Sequence, residues 1–235
     1  MASTRLPGKV LADIAGEPAL TRLVRRLRQA KRLDAIALAT TTSRSDDALV
    51  AWAERERIAV YRGSEHDVLG RVVGVHDMMG TEIIVEVCGD TPLIAPDLVD
   101  RAVEVYRSGV ADVVTAAVRP SYPQGCDAQV FGFKALAEVA RTIDDPAVRE
   151  HVSLYFHEHP ERYRIHNLEA PPSLRLPEQR LQVDYPEDLA LVREIYKRLE
   201  PLYGDSFGLD AIVALLAREP QLAAINRHCV ERAAR

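Results

Sequence analysis

The chain has 235 residues, 47% of them hydrophobic, and a formal net charge of −5 at pH 7. This length suffices for one large domain or two small ones, and the composition supplies enough apolar side chains for a full core. The negative balance argues against a general nucleic-acid binder, because such proteins usually carry a strong positive charge. We therefore expect no nucleic-acid partner.

The sequence also argues against a membrane or secreted location. No apolar run approaches the roughly 20 residues of a membrane span, and the apolar region of a signal peptide is missing. The three cysteines, Cys88, Cys126 and Cys229, are odd in number and lack the spacing of a metal site, which favours a reducing compartment. We expect a cytoplasmic protein with no membrane partner.

The first half of the chain alternates helical patterns with short apolar runs. We predict helices over 18–33, 46–57, 65–79 and 96–108, and strands over 35–39, 58–61, 82–88 and 111–118. The helices rest on apolar residues at helical spacing, and the strands on short β-forming runs. Such alternation predicts a three-layer α/β fold with a mixed, mainly parallel sheet.

The second half is less regular. We predict loops over 119–125 and 171–177, strands over 129–133, 163–168 and 181–183, and helices over 134–141, 148–159, 186–199 and, broken by Pro220, over 209–232. No internal repeat or clear linker interrupts the chain. The simplest description is a single domain, residues 1–235, with an excursion at about 120–180.

The N-terminal segment 3–9 combines a turn with paired cations. Pro7 and Gly8 form a rigid turn, and Arg5 and Lys9 flank it. Free N–H groups and cations in such a loop suit a polyanion such as a nucleoside triphosphate. Arg62 and Arg71 can add to the basic cluster. The alternative is a solvated N-terminal tail.

Polar segments follow three of the predicted strands, where an open α/β sheet binds its ligands. Thr40 and Thr41 follow strand 35–39, and their hydroxyls and N–H groups can contact a base or a ribose; the alternative is a turn that caps the next helix. Asp90 follows strand 82–88 and Asp184 follows strand 181–183. Carboxylates at these positions suit Mg²⁺. The alternatives are a turn cap for Asp90 and a helix N-cap for Asp184.

Seven ordered motifs resemble a known family. They are STRLPGK (3–9), RGSEHDVLGR (62–71), CGDTPLIAP (88–96), YPQGCDAQVF (122–131), REHVSLYF (149–156), LQVDYPEDLALV (181–192) and EPQLAAINRH (219–228). Together they resemble the cytidylyltransferases of the spore-coat-polysaccharide type, relatives of the acylneuraminate and 3-deoxy-manno-octulosonate cytidylyltransferases. The resemblance implies a nucleotide-diphospho-sugar transferase fold, a homodimer, and activation of a sugar acid or related acidic molecule with CTP.

The resemblance also implies roles for individual residues. Arg5, Lys9 and Asp90 are implied in catalysis, Asp90 and Asp184 in Mg²⁺ binding, Ser3, Arg5, Lys9, Thr40, Thr41 and Arg62 in nucleotide binding, and Asp127, Arg149, Glu150 and His151 in acceptor binding. The excursion at 120–180 is expected to carry the acceptor pocket and the dimer contact. For His151 the alternative is a solvated helix face shared with His157 and His159.

Two departures from the family pattern stand out. Members carry an apolar first strand and a Gln-Ala-Arg segment before the basic loop, whereas this sequence begins with Met1-Ala2. We therefore expect a central strand of the sheet to be missing from this sequence, through a misplaced chain start or a real loss. Gln129 stands where relatives often carry glutamate, and Ala2 where they often carry glycine.

Other functions remain open at the level of sequence. A sugar-phosphate nucleotidyltransferase that uses another nucleotide shares these features, and a non-catalytic nucleotide-binding protein fits the missing strand. A Rossmann dehydrogenase is disfavoured, because no G-x-G-x-x-G follows a strand. The acceptor is equally open among nonulosonic acids, octulosonic acids and smaller phosphorylated or phosphonate acids.

Overall fold

The computed structural model describes residue 3 and residues 5–230. Ala2, and residues 231–232 of the predicted last helix, lie outside the described residues. The strands are β1 (Asp13–Ile14), β2 (Glu17–Pro18), β3 (Ala37–Thr41), β4 (Ala59–Gly63), β5 (Ile83–Glu86), β6 (Val113–Thr115), β7 (Gln129–Gly132) and β8 (Ile165–Asn167). The helices are α1 (Ala19–Leu27), α2 (Asp47–Glu56), α3 (Val68–Met79), α4 (Pro96–Arg107), α5 (Phe133–Thr142), α6 (Pro146–Glu150), α7 (Leu154–Glu158), α8 (Pro186–Tyr203), α9 (Leu209–Arg218) and α10 (Pro220–Ala223). Each helix within this described part is too short or too polar to span a bilayer.

The central strands form a mixed sheet in two parts. β3 pairs with β4 in parallel. The second part has the order β5-β7-β6-β8, in which β7 runs antiparallel to both neighbours and β6 and β8 run parallel. Helices α1, α2, α4 and α8 pack against one face, and α3, α5, α6 and α7 against the other. The predicted three-layer α/β architecture with a mixed, mainly parallel sheet is confirmed.

Some predicted elements differ in extent. Residues 181–183 are not a strand, because their N–H groups bond to loops: Leu181 donates to the carbonyl of Gln124 (2.8 Å) and Val183 to that of Asp90 (2.8 Å). The predicted helix 148–159 is two short helices, because the backbone of His151 is extended and ends α6. The helix predicted over 186–199 continues through Pro201 to Tyr203.

A cavity of about 770 Å³ separates the two parts of the sheet. It lies between β3 and β5, and side chains of α1 and α3 also line it. Leu38, Val85 and Val87 are only partly buried although helices cover the sheet, because part of their surface faces this space. We call it the inter-strand cavity.

Two arginines of α1 are buried, where an amphipathic pattern predicts exposed polar residues. Arg22 is 1% exposed; it donates to the carbonyls of Ile14 (3.1 Å) and Ala15 (2.8 Å) and pairs with Glu200 and Asp205. The acceptors come from the segment before α1 and from the end of α8 and the turn after it. Arg22 therefore joins α1 to the end of α8.

Arg26, also 1% exposed, connects α1 to two further segments. Its guanidinium donates to the carbonyls of Ile94 (2.7 Å) and Phe207 (3.1 Å) and lies 4.7 Å from the centroid of the Phe207 ring. Buried arginine is tolerated here because each contact supplies a hydrogen-bond acceptor or an aromatic face.

We predict that Arg22→Leu lowers the free energy of unfolding by about 3 kcal/mol, because buried acceptors lose their donor. Arg32→Leu is the matched control. Arg32 pairs with Glu104 at the surface, and the change should cost no more than about 1 kcal/mol. Urea unfolding followed by circular dichroism measures both; equal losses would contradict the anchoring role of Arg22.

Candidate functional site

The N-terminal segment folds back on itself in a tight turn. The N–H of Lys9 donates to the carbonyl of Leu6 (3.2 Å), and Gly8 has a φ of +72°. A positive φ at the third position is what a type II turn with proline at the second requires. The hydroxyl of Ser3 accepts from the N–H of Leu6 (3.3 Å). The described part of the segment is thus an ordered loop rather than a solvated tail.

This loop delivers Lys9 to two aspartates. The Lys9 ammonium donates to Asp90 and, at 2.7 Å, to Oδ1 of Asp184. Arg5 Nη2 donates to the same Oδ1 at 2.7 Å, and its guanidinium lies 5.1 Å from the centre of the Tyr185 ring. The structure therefore brings together four predicted site residues from three distant parts of the chain.

Local backbone structure explains why both carboxylates are free to reach Lys9. In α8 the capping role falls to Asp188, whose carboxylate accepts from the N–H groups of Asp184 (2.9 Å) and Tyr185 (3.0 Å). Asp184 is therefore not the N-cap. In the turn after β5, the hydroxyl of Thr91 donates to the carbonyl of Cys88 (2.7 Å), so the carboxylate of Asp90 is not needed to cap that turn.

Burial and neighbouring charges act in opposite directions on the pKa values of Asp184 and Lys9. Burial alone would raise the pKa of Asp184, but the hydrogen bond and charge of Lys9, with the charges of Arg5 and Arg180, lower it below its ordinary value. Burial opposes the charge on Lys9, yet Asp90 and Asp184 raise its pKa.

Two polar atoms of this cluster are buried and lack a partner within the described residues. They are Oδ1 of Asp90 and Nη1 of Arg5. Buried polar atoms are rarely left unpaired without a reason. An unpaired carboxylate oxygen fits a cation, and an unpaired guanidinium nitrogen fits an anionic oxygen, so the cluster has capacity for both signs of charge.

A hydrogen-bond network that the sequence analysis missed holds Asp184 in place. Arg180 Nη2 donates to Asp184 (3.1 Å) and Asp188 (3.4 Å). Asn226 Nδ2 donates to Asp188 (2.7 Å) and to the carbonyl of Arg180 (3.0 Å). The four-residue spacing of Arg180, Asp184 and Asp188 gave no usable signal, because Arg180 and Asp184 precede α8 and no helical periodicity relates the three residues.

The threonine segment after β3 is organised around Asp46. Thr40 and Thr41 both donate their hydroxyls to Asp46 Oδ2, at 2.8 Å and 2.6 Å. Burial opposes the charge of Asp46, but these hydrogen bonds keep its pKa below the usual range. Arg62 donates to the carbonyls of Thr41 and Ser43, both at 2.8 Å. These contacts order the loop before α2, and a role in nucleotide binding stays a prediction.

The predicted acceptor residues fall in two places. The carbonyl of Cys126, next to Asp127, accepts from the N–H of Ala95 in the segment after Asp90 (2.8 Å). Asp127 therefore lies close to the loop that carries Asp90. Its role in acceptor binding stays a prediction.

The other three acceptor candidates lie at the end of α6. The Arg149 guanidinium donates to the carbonyl of Ala140 (2.6 Å) and pairs with Asp144 (3.2 Å) and Asp67 (3.5 Å). Glu150 and His151 are exposed. These contacts connect α6 to α5 and to the start of α3, and acceptor binding by these residues also stays a prediction.

Glu86 is a titratable group on the wall of the inter-strand cavity. Its Oε2 has no partner within the described residues. Enclosure by protein raises its pKa to about 7. Because the folded chain favours the neutral form, this group contributes stability that is fully present below about pH 4.5 and is lost as the pH rises through about 7.

We predict that Glu86→Gln raises the free energy of unfolding at pH 8 by up to about 3 kcal/mol, and by much less at pH 5. The size follows from about 1.36 kcal/mol per pKa unit. Thermal unfolding of both proteins at the two pH values measures the difference. The mutant should gain several degrees only at pH 8. An equal difference at both values would show that Glu86 titrates normally.

The sequence and the fold both match known proteins. A family model described as Cytidylyltransferase matches residues 1–206. The spore coat polysaccharide biosynthesis protein SpsF of Bacillus subtilis is 33% identical over 231 residues, which cover 95% of this chain and 93% of that protein. A 3-deoxy-manno-octulosonate cytidylyltransferase of Geobacter sulfurreducens is 37% identical over 103 residues, which cover 43% of this chain and 40% of that protein.

Solved structures show the fold. A cytidylyltransferase from Leptospira borgpetersenii superposes with a TM-score of 0.87 at 24% identity and covers 99% of this chain and 95% of its own. A CMP:2-keto-3-deoxy-manno-octonic acid synthetase complexed with CTP gives a TM-score of 0.61 at 18% identity, with 83% and 94% covered. The architecture is thus the nucleotide-diphospho-sugar transferase fold implied by the sequence motifs.

Proposed function

We infer that this chain, which belongs to the cytidylyltransferase family, transfers CMP from CTP to an acidic acceptor and releases pyrophosphate, in the biosynthesis of a surface polysaccharide or glycan. One observation carries the inference: Lys9 joins Asp90 and Asp184 beneath a loop that also presents Arg5. The cluster pairs phosphate-binding cations with metal-binding carboxylates.

The cations of the loop suit the triphosphate. Arg5 keeps a buried, unpaired Nη1, and guanidinium groups bind phosphate oxygens through directed hydrogen bonds. Lys9 supplies a compact charge on the same side. Arg62, with Ser3, Thr40 and Thr41, is proposed to support the nucleotide from neighbouring loops.

Asp90 and Asp184 are the residues that would hold a divalent cation, for which we propose Mg²⁺. Their carboxylate oxygens match its ligand preference, and the unpaired Oδ1 of Asp90 is an orphaned ligand atom. The bound ion would supply positive charge to the phosphate oxygens. Lys9 already holds the two carboxylates close together, so these ligands are in position before the ion binds.

The chemical step is an attack by an acceptor oxygen on the α-phosphorus of CTP. The new P–O bond forms as the bond to the bridging oxygen of the β-phosphate breaks, and pyrophosphate leaves. Negative charge spreads over the phosphate oxygens, so positioning and electrostatic stabilisation by Arg5 and Lys9 supply the main catalytic effect.

The acceptor side is proposed from the remaining predicted residues. Asp127 lies by the Asp90 loop, and Arg149 can form bidentate bonds with an acceptor carboxylate or phosphate. We propose that Glu150 and His151 lie at the edge of that pocket, within the excursion at 120–180 of one nucleotidyltransferase domain. A homodimer and a cytoplasmic location complete the proposal; the described cysteines are all free, as a reducing compartment favours.

We predict that Asp90→Ala lowers the rate of Mg²⁺-dependent pyrophosphate release by about a hundredfold or more, because a charge-stabilising group is lost. Asp97→Ala is the matched control, since Asp97 is an exposed aspartate of α4. A coupled pyrophosphate assay with CTP and a pool of sugar acids measures both, and circular dichroism checks the fold. Normal turnover by Asp90→Ala would rule out the metal assignment.

A nucleotide panel tests the choice of CTP. We expect pyrophosphate release with CTP and little with UTP, GTP or dTTP across sugar acids and sugar phosphates. Preference for another nucleotide would make the protein a sugar-phosphate nucleotidyltransferase instead. CTP binding by calorimetry without turnover on any acceptor would indicate a non-catalytic nucleotide-binding protein.

A further inference from the structure

A group of metal-binding side chains lies at the first turn of α8 and includes none of the residues predicted for the candidate site. Glu187 belongs to that turn, and His228 and Cys229 belong to the segment 226–230 that follows α10. One carboxylate oxygen, one ring nitrogen and the sulfur of these residues all lie within 4.8 Å of one another. The fold thus brings three different kinds of ligand atom together from two distant parts of the chain.

The spacing of these atoms is that of metal ligands rather than of hydrogen-bonded partners. Nε2 of His228 lies 3.6 Å from Oε1 of Glu187, which is too long for a hydrogen bond. In a tetrahedral zinc site, metal–ligand bonds of about 2.0–2.3 Å place neighbouring ligand atoms roughly 3.3–3.6 Å apart. The sulfur of Cys229, at most 4.8 Å from either atom, needs only a small side-chain rotation to join them.

Hydrogen bonds on both sides hold the segment that carries the two C-terminal ligands against α8. The buried side chain of Asn226 donates to the carboxylate of Asp188 (2.7 Å), and the carbonyl of Asn226 accepts from the N–H of Cys229 (2.9 Å). On the other side, the hydroxyl of Tyr185 donates to the carbonyl of Val230 (3.2 Å). Because the segment is fixed at two points, much of the ordering that a metal site requires is already present.

The kinds of ligand atom indicate which ion would bind. Thiolate sulfur and imidazole nitrogen suit zinc and related transition ions, whereas Mg²⁺ prefers oxygen ligands throughout. A glutamate carboxylate is also an accepted zinc ligand. The pair Asp90 and Asp184 offers carboxylate oxygens alone, so the two sites should select different ions.

We propose that Glu187, His228 and Cys229 bind one Zn²⁺ ion, with a water molecule as the fourth ligand. The ion can enter from solvent, because the side chains of Glu187 and His228 are 42% and 68% exposed. The thiol of Cys229 loses its proton to solvent on binding, since the thiolate is the form that ligates a metal. The bound ion would join the segment 226–230 to α8 and so stabilise the fold. This proposal does not depend on nucleotide transfer.

Cobalt tests the proposal directly. Co²⁺ occupies the same kinds of site as Zn²⁺ but absorbs light, and a bound thiolate gives it an intense band in the near ultraviolet. The tag-free chain, reduced and stripped of metal with a chelator, is titrated at neutral pH with Co²⁺ and then with Zn²⁺. We expect the band to saturate at one Co²⁺ per chain, to disappear on addition of Zn²⁺ and to survive an excess of Mg²⁺. Zn²⁺ should also raise the melting temperature.

Single substitutions identify the ligands. Cys229→Ser should abolish the band, and His228→Ala and Glu187→Gln should each weaken Co²⁺ binding at least about tenfold, because each change removes one ligand. Cys88→Ser and His166→Ala are the matched controls, since both side chains are exposed and lie outside the cluster. Both control proteins should bind Co²⁺ as tightly as the parent chain does.

Four results would overturn the proposal. They are the absence of the band in the parent chain, its survival in Cys229→Ser, its loss in Cys88→Ser, and saturation at half an ion per chain, which would mean that the metal joins two copies. Circular dichroism of the metal-free proteins checks that each variant is folded. If Cys229→Ser does not fold, His228→Ala decides the question, because its side chain is exposed and unchanged Co²⁺ affinity in that variant would contradict the site.

Discussion

The Lys9 ammonium, held between the carboxylates of Asp90 and Asp184, is the interaction on which the site depends. Asp90 follows β5, Asp184 precedes α8, and Lys9 follows a proline–glycine turn. Without a cation between them, two carboxylates this close would repel each other. The shared positive charge lets the two side chains lie close together, which is the condition for binding a metal–phosphate group.

The surrounding structure keeps this cluster in place by removing competing roles. Asp188 caps α8 and Thr91 closes the turn after β5, so neither site aspartate has a local structural duty. Arg180 and Asn226 donate hydrogen bonds to the Asp188 carboxylate and hold it in place. The positions of the catalytic candidates therefore follow from a buried polar network that extends well beyond the residues expected to touch substrate.

Sequence patterns predicted the elements and the central cluster but not the groups that support them. Alternation of helices and strands identified the α/β class. The predicted strand-end positions of Asp90 and Asp184 indicated their convergence, although the segment before Asp184 is not a strand. Arg22 and Arg26 escaped notice because burial of arginine depends on distant carbonyls that no local pattern reveals. The segment 181–183 was wrongly predicted as a strand, since its apolar residues pack into the core while its N–H groups bond to loops.

A double-mutant cycle on Lys9 and Asp184 tests the central interaction most directly. The free energy of unfolding is measured for the parent chain, Lys9→Met, Asp184→Asn and the double mutant. A shared buried ion pair predicts a coupling energy of at least about 1 kcal/mol, because the second change costs little once the first has broken the pair. Losses that add to within about 0.5 kcal/mol would mean that the two groups do not interact, and the account of the site would be wrong.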